Sequence, residues 1–259
     1  ELRTYCINDL DTTELLYNDL LPQIQLRYAM NEMYGVDLRS KSDPQAAETI
    51  IKLEMEKKTG RKYRPIKLKD GTTIRYQNPK IVSFQDPELN QIFKLLLEHE
   101  FELNSNGSIK LPKWLKDTKI KIGNTQYNMG IGGLHSCEKA QLVEAKDNEI
   151  IIMQDVQSYY PNILLGQRLA PNSMGNEFVK LYQSIVTKRL KAKAEGDKVG
   201  ADSGKLAVNG SFGKLSSKYS ILYAPELLLQ ITLTGQLCLL MLISNLESAG
   251  ISVVSGNTD

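Results

Sequence analysis

Histidine and cysteine are scarce in this 259-residue chain: there are two of the first, His99 and His135, and three of the second, Cys6, Cys137 and Cys238. Without a C-x-x-C pair, so few ligands of this kind exclude His/Cys zinc chemistry. An odd, irregularly spaced set of cysteines excludes a disulfide framework and fits a reducing compartment, so a cytoplasmic location is expected. No basic-then-apolar leader opens the chain, and no signal peptide is expected. The longest uninterrupted apolar run, Leu237–Ile243, is far shorter than a membrane span, so no membrane partner is expected. Internal repeats and low-complexity tracts are also missing. Net charge is only +2, which by itself names no partner. What is there, 41% hydrophobic and 24% charged residues, is an ordinary globular composition with chain enough for a real core.

The small net charge hides segregation. Residues 1–56 carry eleven acids against five bases. Residues 57–69 carry seven bases and no acid. Residues 110–121 carry five lysines against Asp117, and residues 180–205 seven bases against three acids. Aromatic rings, Tyr63 and Trp114, sit inside two of these stretches. Any one stretch reads equally well as a solvated face; three together are the electrostatic footprint of a polyanion binder.

Apolar spacing predicts a helix over Leu10–Arg27 with Leu15, Leu16, Leu20 and Ile24 on one stripe. Ser42-Asp43-Pro44 predicts a helix start running to about Lys58, and Asp86-Pro87 another running to about Leu103. Asp70-Gly71 predicts a hairpin between Lys62–Leu68 and Thr72–Gln77. Short strands are expected over 109–147. Ile150-Ile151-Ile152 predicts a strand over Glu149–Gln154 buried on both faces. Helices are expected near 158–165, 176–194, 202–215 and 225–248, the last apolar nearly all round and hence buried. Ala249-Gly250 ends it, and Ile251–Ser255 is expected as a final strand. The order predicts an α+β fold, a sheet supported by helices.

Three segments carry candidate chemistry. Asp155-Val156-Gln157-Ser158-Tyr159-Tyr160-Pro161-Asn162-Ile163 begins with a carboxylate leaving the expected buried strand. Taken alone, such an Asp most often caps the next helix. On a helix, Lys205, Asn209, Phe212 and Gly213 share one face, which joins a cation, an amide, a ring and a position open to close approach. Val253-Val254-Ser255-Gly256-Asn257-Thr258-Asp259 ends on an acid. A fourth segment, Gly200–Leu206, is faintly P-loop-like, but its spacing is one residue short and Leu206 stands where Ser or Thr would meet magnesium.

Together the three resemble motifs A, B and C of family B (polymerase-alpha-like) DNA polymerases, D-x-x-S-L-Y-P-S-I, K-x-x-x-N-S-x-Y-G and Y-G-D-T-D-S. The first matches at Asp155, Ser158, Tyr160, Pro161 and Ile163, the second at Lys205, Asn209 and Gly213, the third at Gly256, Thr258 and Asp259. Tyr5-Cys6-Ile7-Asn8-Asp9 is similar to the Y-x-x-x-D motif of the family's proofreading exonuclease. Ile131-Gly132-Gly133-Leu134-His135 resembles its template-contacting Gly-Gly loop. Tyr159, Asn162, Gly210, Phe212 and Asn257 depart from the patterns, and Asn257 cannot supply the charge of the usual Asp.

The resemblance implies a fragment of a right-hand polymerase, palm sheet with helical fingers, preceded by the end of an exonuclease domain. It divides the chain into 1–30, the end of the 3'-5' exonuclease; 31–125, a linking region with basic stretches; 126–172, palm with motif A; 173–224, fingers with motif B; and 225–259, palm continued into motif C. It implies template-directed addition of deoxynucleotides to a primer 3'-hydroxyl, with primer–template DNA and dNTP as partners. Asp155 and Asp259 would be catalytic and, with Val156, hold two Mg2+ ions, Mn2+ being the alternative. Arg189, Lys193, Lys205, Asn209, Ser158, Tyr160, Phe212 and Gly213 would bind nucleotide. Gly132, Gly133, Lys57, Lys58, Arg61 and Lys62 would contact DNA, and Tyr5 and Asp9 would be the exonuclease remnant. Loose motifs in a short architecture suggest a phage or prophage source and a host-cytoplasmic location. Two alternatives remain: a catalytically silent nucleic-acid-binding remnant, and another palm-type nucleotidyltransferase such as a reverse transcriptase.

Overall fold

The apolar helix expected near 225–248 organises the larger of two units into which the chain divides, residues 63–180 together with those from 215 onward. The computed structural model describes residues 1–258. Chain order gives α1 (Leu2–Tyr34), α2 (Asp43–Thr59), β1 (Thr73–Arg75), α3 (Pro87–Glu98), β2 (Glu100–Glu102), α4 (Lys113–Asp117), β3 (Ile120–Ile122), β4 (Thr125–Met129), β5 (Leu134–Ser136), α5 (Tyr159–Gly166), α6 (Gly175–Glu195), α7 (Lys198–Leu215) and α8 (Pro225–Ser248).

In the larger unit, β3, β4 and β5 form an antiparallel meander, and β1 pairs antiparallel with β2. On β4, Thr125, Tyr127 and Met129 alternate inward, the period-2 signature of a sheet with one covered face. Their core partners include Leu229, Leu233, Leu237, Leu240 and Ile243 of α8, with Tyr76, Phe93, Leu96, Phe101, Leu115 and Leu134. Fully burying each leucine stabilises by about 2 kcal/mol. By length and composition α8 is apolar enough to cross a membrane, but 67% of its most apolar window is buried inside the protein. It is the core helix of this unit.

The second unit comprises residues 1–62 and 181–214. Here α2 starts as its sequence dictates: Ser42 and Gln45 form a capping box, Pro44 occupies the first turn, and Gly60 at φ 66° closes the helix. Met30, Leu38, Ala46 and Ile50 make a small core with Leu206 packed on it.

Four sequence expectations are corrected. The helix expected over Leu10–Arg27 runs from Leu2 to Tyr34, and its stripe is not covered: Leu15 is 67% and Leu16 56% exposed. Apolar residues are spread around this helix, so no single face collects enough area to bury. The hairpin across Asp70-Gly71 does not form; β1 pairs instead with β2, setting Ile74 opposite buried Phe101. Lys62–Leu68 is too charged to offer an apolar face. Glu149–Gln154 is not a strand, and Ile150, Ile151, Ile152 and Met153 are exposed. A strand needs a neighbour for its N–H and C=O groups, and none of the described residues pairs with it. Ile251–Ser255 likewise joins no ladder; side-chain hydrogen bonds hold it instead, Thr125 Oγ1 donating to the carbonyls of Val253 and Val254 at 3.1 and 3.2 Å.

Candidate functional site

Within the larger unit, three segments distant in sequence meet. The loop Gly130–Gly133 joins β4 to β5 as a hairpin, closed by the Gly130 N–H donating to the Gly133 carbonyl at 3.1 Å. At one end of the loop lies the run to Thr258. The Thr258 N–H donates to the Leu134 carbonyl at 3.0 Å, and the Leu134 N–H donates to Thr258 Oγ1 at 2.8 Å. Asn257 Oδ1 accepts from the Ser136 N–H at 3.1 Å. Hydrogen bonding from Ser136 holds the Glu138 carboxyl below its ordinary pKa. Across the loop stands the tyrosine pair of α5, with rings 5.8 Å apart and nearly parallel. Tyr160 donates to the Gly132 carbonyl at 3.3 Å, and Tyr159 to the Gly235 carbonyl of α8 at 2.7 Å. Burial pushes the Tyr159 hydroxyl pKa up, so it stays a neutral donor.

The two loop glycines have different reasons to be glycine. A Cβ on Gly133 would lie 2.6 Å from the Thr258 carbonyl oxygen, so Gly133 is required by packing. A Cβ on Gly132 would meet nothing within 4 Å, which leaves that backbone open for a strand to approach.

Asp155 and Val156 lie exposed in the extended stretch before α5. Asp155 is not the helix cap; that position is Ser158, held at the left-handed φ of 53°. Asp259 lies outside the described residues. As a donor set, two carboxylates and the Val156 carbonyl are hard oxygens of the kind Mg2+ takes. Among the described residues no three His, Cys, Asp or Glu side chains converge on one point.

In the other unit, the paired stretches of α6 and α7 run antiparallel. Tyr182 donates to the Val208 carbonyl at 3.3 Å, while a Cβ on Gly204 would lie 2.7 Å from Arg189 Cβ and one on Gly200 3.1 Å from Ala192 Cβ. The helices expected near 176–194 and 202–215 therefore pack side by side. Lys205, Asn209 and Gly213 share one exposed face, with Phe212 partly buried edge-on to Tyr182 at 6.4 Å. Lys193 is exposed on α6 and Arg189 is partly buried. Gly210, on another side of α7, sits against α2: its Cβ would lie 2.8 Å from both Ala47 Cβ and the Asp43 carbonyl oxygen. At Gly213 the nearest atom would be Pro44 Cγ at 3.7 Å, an ordinary contact. Alanine at 213 is therefore expected to leave the thermal midpoint unchanged or raise it, since Ala gains about 1 kcal/mol over Gly in a helix. Alanine at 210 should destabilise the fold by about 1–3 kcal/mol through overpacking and so lower the midpoint. Thermal unfolding of the two variants followed by circular dichroism checks the opposite signs.

Every base of 57–69 is exposed, including Lys57, Lys58, Arg61 and Lys62. Tyr5 and Asp9 lie on the exposed first turns of α1, away from any core. Sequence reasoning missed Gly235 and Gln236, which lie under the loop and the tyrosines. Their only signal was polarity: Gln230, Thr232, Thr234 and Gln236 interrupt an otherwise apolar helix and are all buried. Fold and site together define a two-unit, mainly helical protein with few short strands, a glycine hairpin loop braced by tyrosines and, separately, an open helix face that carries Lys205. No protein-family model, no curated protein and no solved structure matches the chain.

Proposed function

We propose that the chain belongs to a template-directed DNA polymerase of the family B kind, which adds deoxynucleotides to a primer 3'-hydroxyl. The observation that carries this reading is the meeting of the Gly130–Gly133 loop, Tyr159-Tyr160 and the segment ending in Thr258. Those are the pieces that resemble the template loop, motif A and motif C, and they are far apart in sequence.

On this reading Asp155, Asp259 and the Val156 carbonyl would hold two Mg2+ ions, which supply Lewis-acid stabilisation of charge on the transferred phosphoryl group. The chain's own residues do the rest. Lys205, Arg189 and Lys193 would bind triphosphate oxygens; a cation pair four residues apart, as at 189 and 193, repels itself mildly until an anion sits over it. Asn209, Phe212 and Gly213 present the face on which sugar and base would lie. Ser158 would bend the backbone between Asp155 and the tyrosines, and Tyr160 would pack under the sugar. Gly132 would let the template backbone approach. Base pairing, not the protein, would read sequence.

Residues 57–69 would neutralise phosphates, and this makes affinity salt-dependent. Reversing Lys57, Lys58, Arg61 and Lys62 to glutamate should flatten the slope of log K against log salt by up to about 3.6, at roughly 0.9 for each of four phosphate contacts. Fluorescence anisotropy of a labelled primer–template across a salt series reads it. An unchanged slope makes the stretch a solvated face. The direct test of the reading is template-dependent incorporation of dNTP on a DNA primer by the whole protein that carries this chain, the chain alone being expected to extend poorly: extension on an RNA-templated primer alone would favour a reverse transcriptase, and DNA binding by the whole protein without extension a silent binding protein.

A further inference from the structure

The buried polar side chains of α8 are spent on backbone groups of other segments. Gln230 donates through Nε2 to the Gln77 carbonyl at 2.8 Å and accepts at Oε1 from the Gln77 N–H at 2.9 Å. Gln236, fully buried, makes the same pair of bonds to Gly130: Nε2 donates to its carbonyl at 2.8 Å and Oε1 accepts from its N–H at 3.0 Å. A primary amide is the neutral side chain that can give and take in this way, meeting the N–H and the C=O of one residue at once; at Gly130 the N–H is shared with the Gly133 carbonyl. The consequences differ with location. Gln77 follows β1, whereas Gly130 is the first residue of the hairpin loop.

The neighbouring residue serves the other side of the same loop. A Cβ on Gly235 would lie 2.8 Å from Tyr160 Cε1 and 3.3 Å from Tyr159 Cε1, so the tyrosine pair lies directly on the α8 backbone there. The Gly235 carbonyl takes the Tyr159 hydroxyl, and Tyr160 in turn reaches the Gly132 carbonyl. Two successive residues of one rigid helix thus hold the loop at Gly130 and, through Tyr160, at Gly132.

We propose that Gly235 and Gln236 are positioning residues, which lock the Gly130–Gly133 loop to Tyr160 so that its open backbone at Gly132 meets a polynucleotide strand at a set height. The nature of the bound strand rests on the polymerase reading; the locking does not. Gln236 touches no substrate and acts through the loop. Sheet pairing holds the hairpin through Met129 and Leu134 but does not tie the loop to α8. The Gln236 amide fixes its first residue, Gly130, to that helix, and Tyr160 reaches its middle at Gly132.

The test uses the chain as it stands, with Gln236→Met and, as a matched control, Gln230→Met. Each variant loses the same two hydrogen bonds from the same helix, so a merely structural role moves both alike. Amide hydrogen exchange should quicken by roughly tenfold at Gly130–Gly133 in Gln236→Met, the size of one net hydrogen bond, and stay unchanged there in Gln230→Met. Primer–template affinity should fall several-fold in the first variant only. Unchanged loop exchange in Gln236→Met, or equal effects of the two variants on the loop, overturns the proposal. Should Gln236→Met fail to fold, Tyr160→Phe removes only the surface tether, and faster exchange at Gly133 is then the expected result and unchanged exchange the overturning one. If the wild-type chain binds no primer–template while the loop exchange responds as expected, the locking stands and the polymerase reading falls.

Discussion

Asp155→Ala in the whole protein that carries this chain is expected, on the proposed polymerase reading, to lower primer extension by about a hundred- to a thousandfold, as losses of a charge-stabilising group do. Affinity for primer–template should stay within a fewfold, because Asp155 is an exposed carboxylate and no phosphate contact is lost with it. The N-cap position of α5 is Ser158 and not Asp155, so helix α5 should keep its stability. Single-turnover incorporation and anisotropy, measured on one preparation, separate the two effects. Asp259→Ala should behave alike, and Asn257→Ala should cost less, because Asn257 is occupied with the Ser136 N–H. Near-normal extension by Asp155→Ala would remove that residue from the site.

The second large effect concerns the sugar. Tyr160→Ala should raise ribonucleotide incorporation about a hundredfold relative to deoxynucleotide, the scale on which a shaped apolar pocket separates substrates differing by one hydroxyl. The ring is held in place from two sides: Gly235 beneath it leaves no room for displacement, and Pro161 restricts the backbone after it. A ring backed by α8 in this way resists being pushed toward the helix by a 2'-hydroxyl. Tyr160→Phe keeps that ring and loses the bond to Gly132, so discrimination should survive. Tyr159→Phe gives up the bond to the Gly235 carbonyl and should lose about 1 kcal/mol of stability with discrimination unchanged. Matched dNTP and rNTP incorporation rates for the three variants read this out; unchanged discrimination in Tyr160→Ala places the gate elsewhere.

The chemistry-bearing segments were legible in the sequence because residue type and spacing carry them. The exposed face of Lys205, Asn209 and Gly213 follows from helical period alone, and the structure leaves it open. The sites around the loop were only half legible. Gly132 and Gly133 stood out as a pair, yet one leaves open space and the other is filled by the Thr258 backbone. Gly213 matched the motif and Gly210 departed from it, yet only their neighbours show that Gly210 is the one packing requires. Gln236 carried no motif at all. Each of these depends on what lies across from the residue, and no local pattern contains that.

By itself the sequence determined the helices: α2, α5, α6, α7 and α8 lie within a few residues of where apolar period, capping residues and Gly or Pro punctuation put them. Those signals act over one or two turns, and a helix satisfies its own backbone. Strands do not, and there tertiary structure decided. Thr73–Arg75 left its expected hairpin partner for Glu100–Glu102, Glu149–Gln154 found no neighbour and stayed exposed, and Ile251–Ser255 was held by hydroxyls instead of a ladder. A β-segment takes its hydrogen bonds from a distant part of the chain, so the same apolar run is a core strand beside one neighbour and an exposed ribbon without it.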